Sequence, residues 1–172
     1  MNTKEPEIQN LHSDEAIGKM KAIVSHNPIC MFTTLLDQFP LRTRPMSALK
    51  ICDQGNFWFI SADDSSKNVE IRMDERVQLF FAGTPSAEYL SVYGKATIST
   101  DKEKINELWN STMKAWFTKG KDDPGISIIK IKPENSFYWD NKAGKMISNL
   151  KIMVASVTGI PANISVSGKL VV

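Results

Sequence analysis

Arg44 to Lys67 reads RPMSALKICDQGNFWFISADDSSK, and the order of residue types in it decides the fold. Met46, Ala48, Leu49 and Ile51 on one side and Phe57, Trp58, Phe59 and Ile60 on the other are apolar, strand-forming runs. Between them Asp53-Gln54-Gly55-Asn56 supplies turn chemistry, so the segment predicts a tight antiparallel hairpin. After Ser61, the run Asp63-Asp64-Ser65-Ser66 offers N-caps for a short helix through Asn68, Val69, Ile71 and Arg72. Free backbone N–H groups at that terminus, the hydroxyls and the Lys67 ammonium suit an anion of phosphate size. An ordinary capped helix with a solvated lysine accounts for the same residues, and Asp63 and Asp64 favour a phosphate only if they point away from it.

The rest of the chain bounds what such a site could serve. Its 172 residues fit a single domain, 1–172, with residues 1–12 expected as a flexible tail. A 42% apolar and 23% charged composition is that of an ordinary globular protein. A net charge of +2, without a Lys/Arg stripe interleaved with aromatics, argues against nucleic acid. The apolar runs are too short to cross a bilayer, and MNTKEPEIQN has no signal-peptide core, so no membrane and a cytoplasmic setting are expected. Cys30 and Cys52 sit in strand-like runs as buried thiols, and His12 and His26 have no second ligand at metal spacing, so no metal is expected. His26, just before Asn27-Pro28, reads as the last turn of a helix.

Outside the opening segment, Ser13-Asp14-Glu15 begins a helix with Ile17, Met20, Ile23 and Val24 near one face, closed by Pro28. Ile29 to Leu36 is a strand, Val77 to Ala82 a strand apolar enough for burial on both faces, and Glu88 to Ser99 a long alternating strand. Asp101 caps a second helix that carries Ile105, Leu108, Trp109, Thr112 and Trp116 as a stripe and ends before Gly120. Ile126 to Ile131 is extended, Lys132-Pro133-Glu134-Asn135 forms a corner, and Ser136 to Asp140 resumes the strand. Asn141 to Gly144 turns, and Ile147 to Val157 is extended again. About six to eight short strands with flanking helices predict a mainly β, antiparallel Greek-key barrel that is closed or split.

The chain resembles the pyridoxamine 5'-phosphate oxidase-like FMN-binding split barrels, and within them the general stress protein 26 group. RPMSALK, NFWFISADDSSKN, RVQLFF, YLSVYGKATI, MKAWFTKGKDDPGI and FYWD carry the likeness. From Lys50 ten residues lead to Ile60, six more to Ser66, one more to Lys67 and 22 more to Tyr89, without a gap against the oxidase layout. The resemblance implies FMN, or FAD with the same first phosphate, held by Pro45, Met46 and Ser47 on a flavin-lining strand. Arg44 stands one place before the family's arginine. Ile60 and Ser61 match a pair that contacts ribityl and phosphate. Ser66 and Lys67 match an Arg-Lys phosphate pair that has lost its arginine here. Trp139 matches a tryptophan that covers the flavin from the second subunit, Tyr89 replaces that subunit's glutamine, and Trp116 is expected near the dimethylbenzene end of the ring. A homodimer with shared flavin sites follows from the resemblance.

Departures limit the activity. The family's substrate-phosphate motif is replaced by NSTMKAWF and KGKDDPG, and its C-terminal Arg-His-Asp-Arg signature by Lys145 to Asn149. Lys50 alone survives at a substrate position. Without those cations a substrate phosphate is poorly held, so pyridoxamine phosphate oxidation is not expected. Two functions remain: a flavin-dependent oxidoreductase with a donor such as NAD(P)H and an unknown substrate, or a stress-related flavin binder or redox sensor without turnover. No residue is assigned a catalytic role.

Overall fold

The computed structural model describes residues 7–83, 87–141 and 165–172. Helix α1 (Ser13–His26) is followed by β3 (Ile29–Thr34), β4 (Arg42–Ser47), β5 (Lys50–Ile51) and β6 (Phe57–Ala62). Then come α2 (Ser66–Met73), β7 (Arg76–Gly83), β8 (Glu88–Ser99), α3 (Lys102–Leu108), a 3-10 turn at Ser111–Ala115, β9 (Ile126–Asn141) and β10 (Ser165–Val171). Two short strands precede α1: β1 (Glu7–Ile8) and β2 (Leu11–His12). The sheet runs β4-β3-β7-β8-β9, and β9 then pairs with both β6 and β10.

The predicted hairpin exists, but its first strand is divided. Lys50 pairs with Trp58 and Ile51 with Phe57, and Gly55 takes a positive φ of 76° in the turn between them. Residues before Ala48 pair instead with β3, Met46 opposite Cys30 and Arg44 opposite Phe32. At the joint, the Ala48 N–H donates to Pro28 O and the Leu49 N–H to Trp58 O, each 2.8 Å. One run of chain thus serves both sides of the barrel, and the ladder breaks where it changes partner. This is the split of the expected mainly β split barrel.

Inward side chains from every wall fill the barrel, including Phe32, Phe57, Phe59, Phe81, Leu79, Leu90 and Ile129. Each such side chain stabilises the fold by about 1.5–3 kcal/mol through removal from water. Helix α1 adds Met20, Ile23 and Val24 of the expected face together with Ala16, and Ile17 is buried beside them on the helix. A second cluster joins Ile105 and Leu108 of α3 to Ile126 and Ile128 of β9. Ile126 to Ile129 is therefore buried on both faces, because one faces the barrel and the other lies under α3.

Between β7 and β9 four expectations change. β7 is not buried on both faces: its exposure alternates, and Phe80 points out of the sheet. The second helix stops at Leu108, because the Asn110 side chain accepts the Thr112 N–H at 3.0 Å and turns the chain into a separate 3-10 segment. Trp116 consequently leaves the buried stripe and is 76% exposed. The Lys132 to Asn135 corner is a bulge inside continuous β9, where Gly94 pairs with Pro133 while Tyr93 pairs with Asn135. A Cβ at Gly94 would meet Lys132 O at 2.3 Å, so the bulge needs a glycine there.

Residues 7–12, expected within a tail, run parallel to β10, and β10 itself was not anticipated. Gly168 permits the crossing, since a Cβ there would lie 1.9 Å from Gln9 O. The expected Asn141–Gly144 turn and Ile147–Val157 strand fall largely or wholly in 142–164, outside the described residues. Among the described residues no helix is long and apolar enough to cross a membrane.

Candidate functional site

The split opens a cavity of about 520 Å³ between the β4–β5 joint, β6, the start of α2 and the 3-10 segment. That volume is within the usual range for small-molecule sites. Pro45, Met46, Ser47 and Leu49 form one wall, Ile60, Ser61, Ala62 and Lys67 a second, and Asn110, Thr112, Met113, Trp116 and Phe117 the third. Met113, Trp116 and Phe117 give the third wall its apolar part, and Lys67 is the cation that the start of α2 contributes.

The α2 end is built as an anion seat. Ser65 occupies the N-cap position but spends its side chain elsewhere: no cap bond forms. Its hydroxyl lies 3.0 Å from the Ser61 hydroxyl and accepts from Lys67 Nζ at 3.2 Å. The backbone N–H groups of Ser66 and Lys67 therefore keep no acceptor among the described residues. Asp63 turns away, bonded to Arg72 at 2.6 Å, and Asp64 is exposed.

Among the basic side chains of β4, β5 and α2, Lys67 alone has no ion-pair partner within the described residues. Arg42 and Arg44 face Glu70 at 3.6 and 2.6 Å, Lys50 holds Glu107 at 2.7 Å, and Arg72 holds Asp63. Lys67 is half-buried. Burial pushes its pKa below the usual lysine value, the Arg44 charge pushes the same way, and Glu70 opposes both. A phosphate-bearing ligand with a flat apolar body fits these walls: it would return a counter-charge to Lys67 and cover Trp116.

The remaining predicted residues are distributed around this pocket. Pro45, Met46, Ser47, Ile60, Ser61, Lys67 and Trp116 line it together. Ser66 is exposed, begins α2 and does not line the cavity. Arg44 is committed to Glu70 and to the Thr34 hydroxyl at 2.7 Å. Lys50 lies on the neighbouring surface against Glu107, which raises its pKa by a hydrogen bond and by its charge. Tyr89 and Trp139 are cross-strand partners on the outer face of β8 and β9, each 43% exposed. Leu49, Ala62, Asn110, Thr112, Met113 and Phe117 were not anticipated in the pocket; the Asn110-Ser111-Thr112 run, with its preference for turn and cap geometry, is the one signal for the third wall.

The outer face bearing Tyr89 and Trp139 is continuous with the pocket rim. Directly opposed residues share a face, and the rows Pro45–Met31–Phe80–Ser91–Phe137 and Ser47–Ile29 lead from the pocket wall across the sheet. Ile29, Met31, Phe80, Tyr89 and Trp139 are exposed by 43% to 61%.

A split antiparallel barrel with a half-buried cation at the mouth of an aromatic-rimmed pocket defines a class of small-ligand barrels. The chain belongs to the pyridoxamine 5'-phosphate oxidase-like family, whose model matches residues 15–163. It is 24% identical over 165 residues to protein bli-3 of Neurospora crassa, covering 88% of this chain and 78% of that one. A structure assigned to general stress protein 26 from Jannaschia sp. CCS1 superposes with a TM-score of 0.77 at 20% identity, covering 90% of this chain and 97% of the other. The general stress FMN/FAD binding protein of Xanthomonas citri superposes with a TM-score of 0.65 at 24% identity, covering 75% and 91%. These two structural likenesses show a shared fold.

Proposed function

We propose that the protein binds FMN in the split-barrel pocket and acts as a flavin-dependent oxidoreductase of the general stress protein type, with its substrate unassigned. The observation that carries this reading is Lys67, a half-buried ammonium that, among the described residues, has no carboxylate partner and lies beside two hydroxyls and two N–H groups without an acceptor. In this reading Ser61, Ser65 and Lys67, with the N–H groups of Ser66 and Lys67, hold the phosphate. Pro45, Met46, Ser47 and Ile60 orient the ribityl chain and ring, and Met113, Trp116 and Phe117 keep water from the ring. Bound FMN supplies the electron transfer. FAD offers the same first phosphate to the same groups. Family membership and the description of the Xanthomonas citri protein support a flavin.

The second protomer completes the site. The exposed apolar face that runs from Pro45 to Trp139 is of the kind that marks an interface. A twofold homodimer through it would bring Tyr89 and Trp139 of one protomer against the flavin of the other. Free thiols at Cys30 and Cys52 suit a reducing cytoplasm. Pyridoxamine phosphate is not the expected substrate, as no arginine among the described residues lines the pocket and Lys50 is engaged by Glu107. Lys145 to Asn149, at the missing signature, lie outside the described residues.

One observation favours a flavin binder or redox sensor as a second reading: among the described residues, Lys67 is the sole titratable side chain lining the pocket. Titration with FMN, followed by flavin fluorescence, tests the binding; protein that takes up no FMN overturns the proposal. Anaerobic mixing of the loaded protein with NADH or NADPH then separates the two readings. Bleaching of the oxidised flavin supports the oxidoreductase, and no bleaching with either donor supports the binder.

A further inference from the structure

Among the described residues, the basic groups nearest the Lys67 seat are arranged so that only Lys67 itself keeps its charge unpaired, and Glu70 is the residue that pairs Arg42 and Arg44. Glu70 lies three residues after Lys67 on α2 and is buried. One carboxylate oxygen accepts from the Thr34 hydroxyl at 2.5 Å and from Arg44 Nη2 at 2.6 Å; the other faces Arg42 Nη1 at 3.6 Å. Arg44 Nη1 closes the triangle by donating to Thr34 Oγ1 at 2.7 Å. Thr34 itself is fully buried. A guanidinium held by a carboxylate and a buried hydroxyl is fixed in direction as well as neutralised.

We propose that Glu70 is a positioning residue that withholds Arg44 from the phosphate seat, so that the seat grips its ligand through the Lys67 cation alone. This rests on the flavin reading for its ligand, a phosphate monoester, and deepens it: Ser66 puts no cation at the seat, and Glu70 keeps the neighbouring Arg44 from supplying one. The groups that act on the Lys67 charge support the arrangement, with Arg44 disfavouring its proton and Glu70 favouring it. Burial works against the Glu70 carboxylate, but the bonds from Thr34 and Arg44 and the charges of Arg44 and Arg42 outweigh it and hold its pKa below the usual value. Glu70 therefore stays ionised and keeps Arg44 paired around neutral pH.

A charge cycle tests this. Glu70→Gln keeps shape and an acceptor for Thr34 but frees the Arg44 charge, so FMN binds about tenfold tighter, the scale of one added charge contact at a partly buried site. Arg44→Gln leaves Glu70 facing Lys67 and the phosphate, so FMN binds more weakly. The double variant, which buries neither charge of the pair, regains affinity lost in Arg44→Gln. Riboflavin, without the phosphate, follows none of these changes. A double variant as weak as Arg44→Gln overturns the proposal, because Arg44 then grips the phosphate directly. Equal weakening of FMN and riboflavin by Glu70→Gln also overturns it, because Glu70 then only braces α2.

NMR titration of the Lys67 ammonium in ligand-free protein reads the same coupling without flavin. Its pKa falls further in Glu70→Gln and rises in Arg44→Gln; no movement in either overturns the proposal. Glu70→Asp, with the same charge and a shorter reach, gives a smaller fall and serves where Glu70→Gln does not fold. If the wild type takes up no FMN while the Lys67 titration moves as stated, the flavin reading fails and the Glu70 arrangement stands.

Discussion

The Lys67 end of the pocket and the outer face of β3, β7, β8 and β9 are both incomplete in one protomer, in opposite chemical senses. At Lys67 the deficit is electrostatic: an ammonium has lost part of its water and, among the described residues, gained no paired carboxylate. On the outer face it is hydrophobic: Ile29, Met31, Phe80, Tyr89 and Trp139 remain in water. A small anion satisfies the first, and only a protein-sized apolar surface satisfies the second. They meet at Pro45 and Ser47, which line the pocket and pair with Met31 and Ile29 of that face. Ligand binding and self-association are therefore expected to depend on each other. Variants confined to one region test how far that dependence goes.

The largest effect is expected on the apolar face. Phe80 points outward between inward-facing Leu79 and Phe81, so Phe80→Asp leaves the core intact and puts a carboxylate into the proposed interface of both protomers. Self-association should weaken by about 100-fold or more, a cost of several kcal/mol for buried like charges, and FMN affinity should fall with it. Sedimentation equilibrium checks this; wild-type association by a folded variant would move the interface elsewhere. Next is Lys67→Ala, which removes the unpaired cation and should cost FMN roughly 1.5–3 kcal/mol, the range for hydrogen bonds to charged groups. Riboflavin should lose little. Equal losses for the two flavins would assign Lys67 to pocket shape and detach it from the phosphate.

The two regions were unequally legible in the sequence. The Lys67 seat is local: Ser61, Ser65 and Lys67 lie within seven residues, and strand, cap and helix place them together from short-range chemistry. Even so, Ser65 was readable only as a candidate cap, because its bond to Ser61 depends on the turn between them. The outer face is a property of register. Phe80 sits in the uniformly apolar run Leu79-Phe80-Phe81-Ala82, where periodicity does not tell inside from outside, and only pairing with Met31 and Ser91 settles it. The pocket's third wall was hidden for a related reason. Trp109, Thr112 and Trp116 continue a helical spacing, whereas the Asn110 side chain breaks the helix and turns Trp116 toward the pocket. β10 escaped notice because SVSGKLV alternates weakly, with Gly168 in place of an apolar side chain.

Smaller effects refine the boundary between the regions. Trp116 is exposed and belongs to the pocket without belonging to the sheet face. Trp116→Ala should cost flavin affinity about 1 kcal/mol, the worth of an aromatic contact beyond its buried area, equally for FMN and riboflavin, and leave self-association unchanged. Flavin fluorescence titrations of both ligands check it. A loss for FMN alone would mean that Trp116 acts at the phosphate end.

The smallest effect is the pH dependence of Lys67 itself. Its pKa in the folded, ligand-free protein lies below the ordinary 10.5, chiefly through burial. Below the folded value both states carry the proton and the burial penalty is full. Between the folded value and 10.5 the unfolded chain holds more protons, so stability rises with pH across that window. Lys67→Ala never carries the penalty. In ligand-free protein, any advantage this gives the variant in Tm should shrink as pH rises through the window, as followed by calorimetry of both proteins. Parallel Tm curves would mean that Lys67 is not desolvated. A bound phosphate favours the ammonium, so wild-type FMN affinity should fall with rising pH over the same window, while affinity in Lys67→Ala should lack that component. Phe80→Asp should leave this stability profile of Lys67 in place even as it separates the protomers.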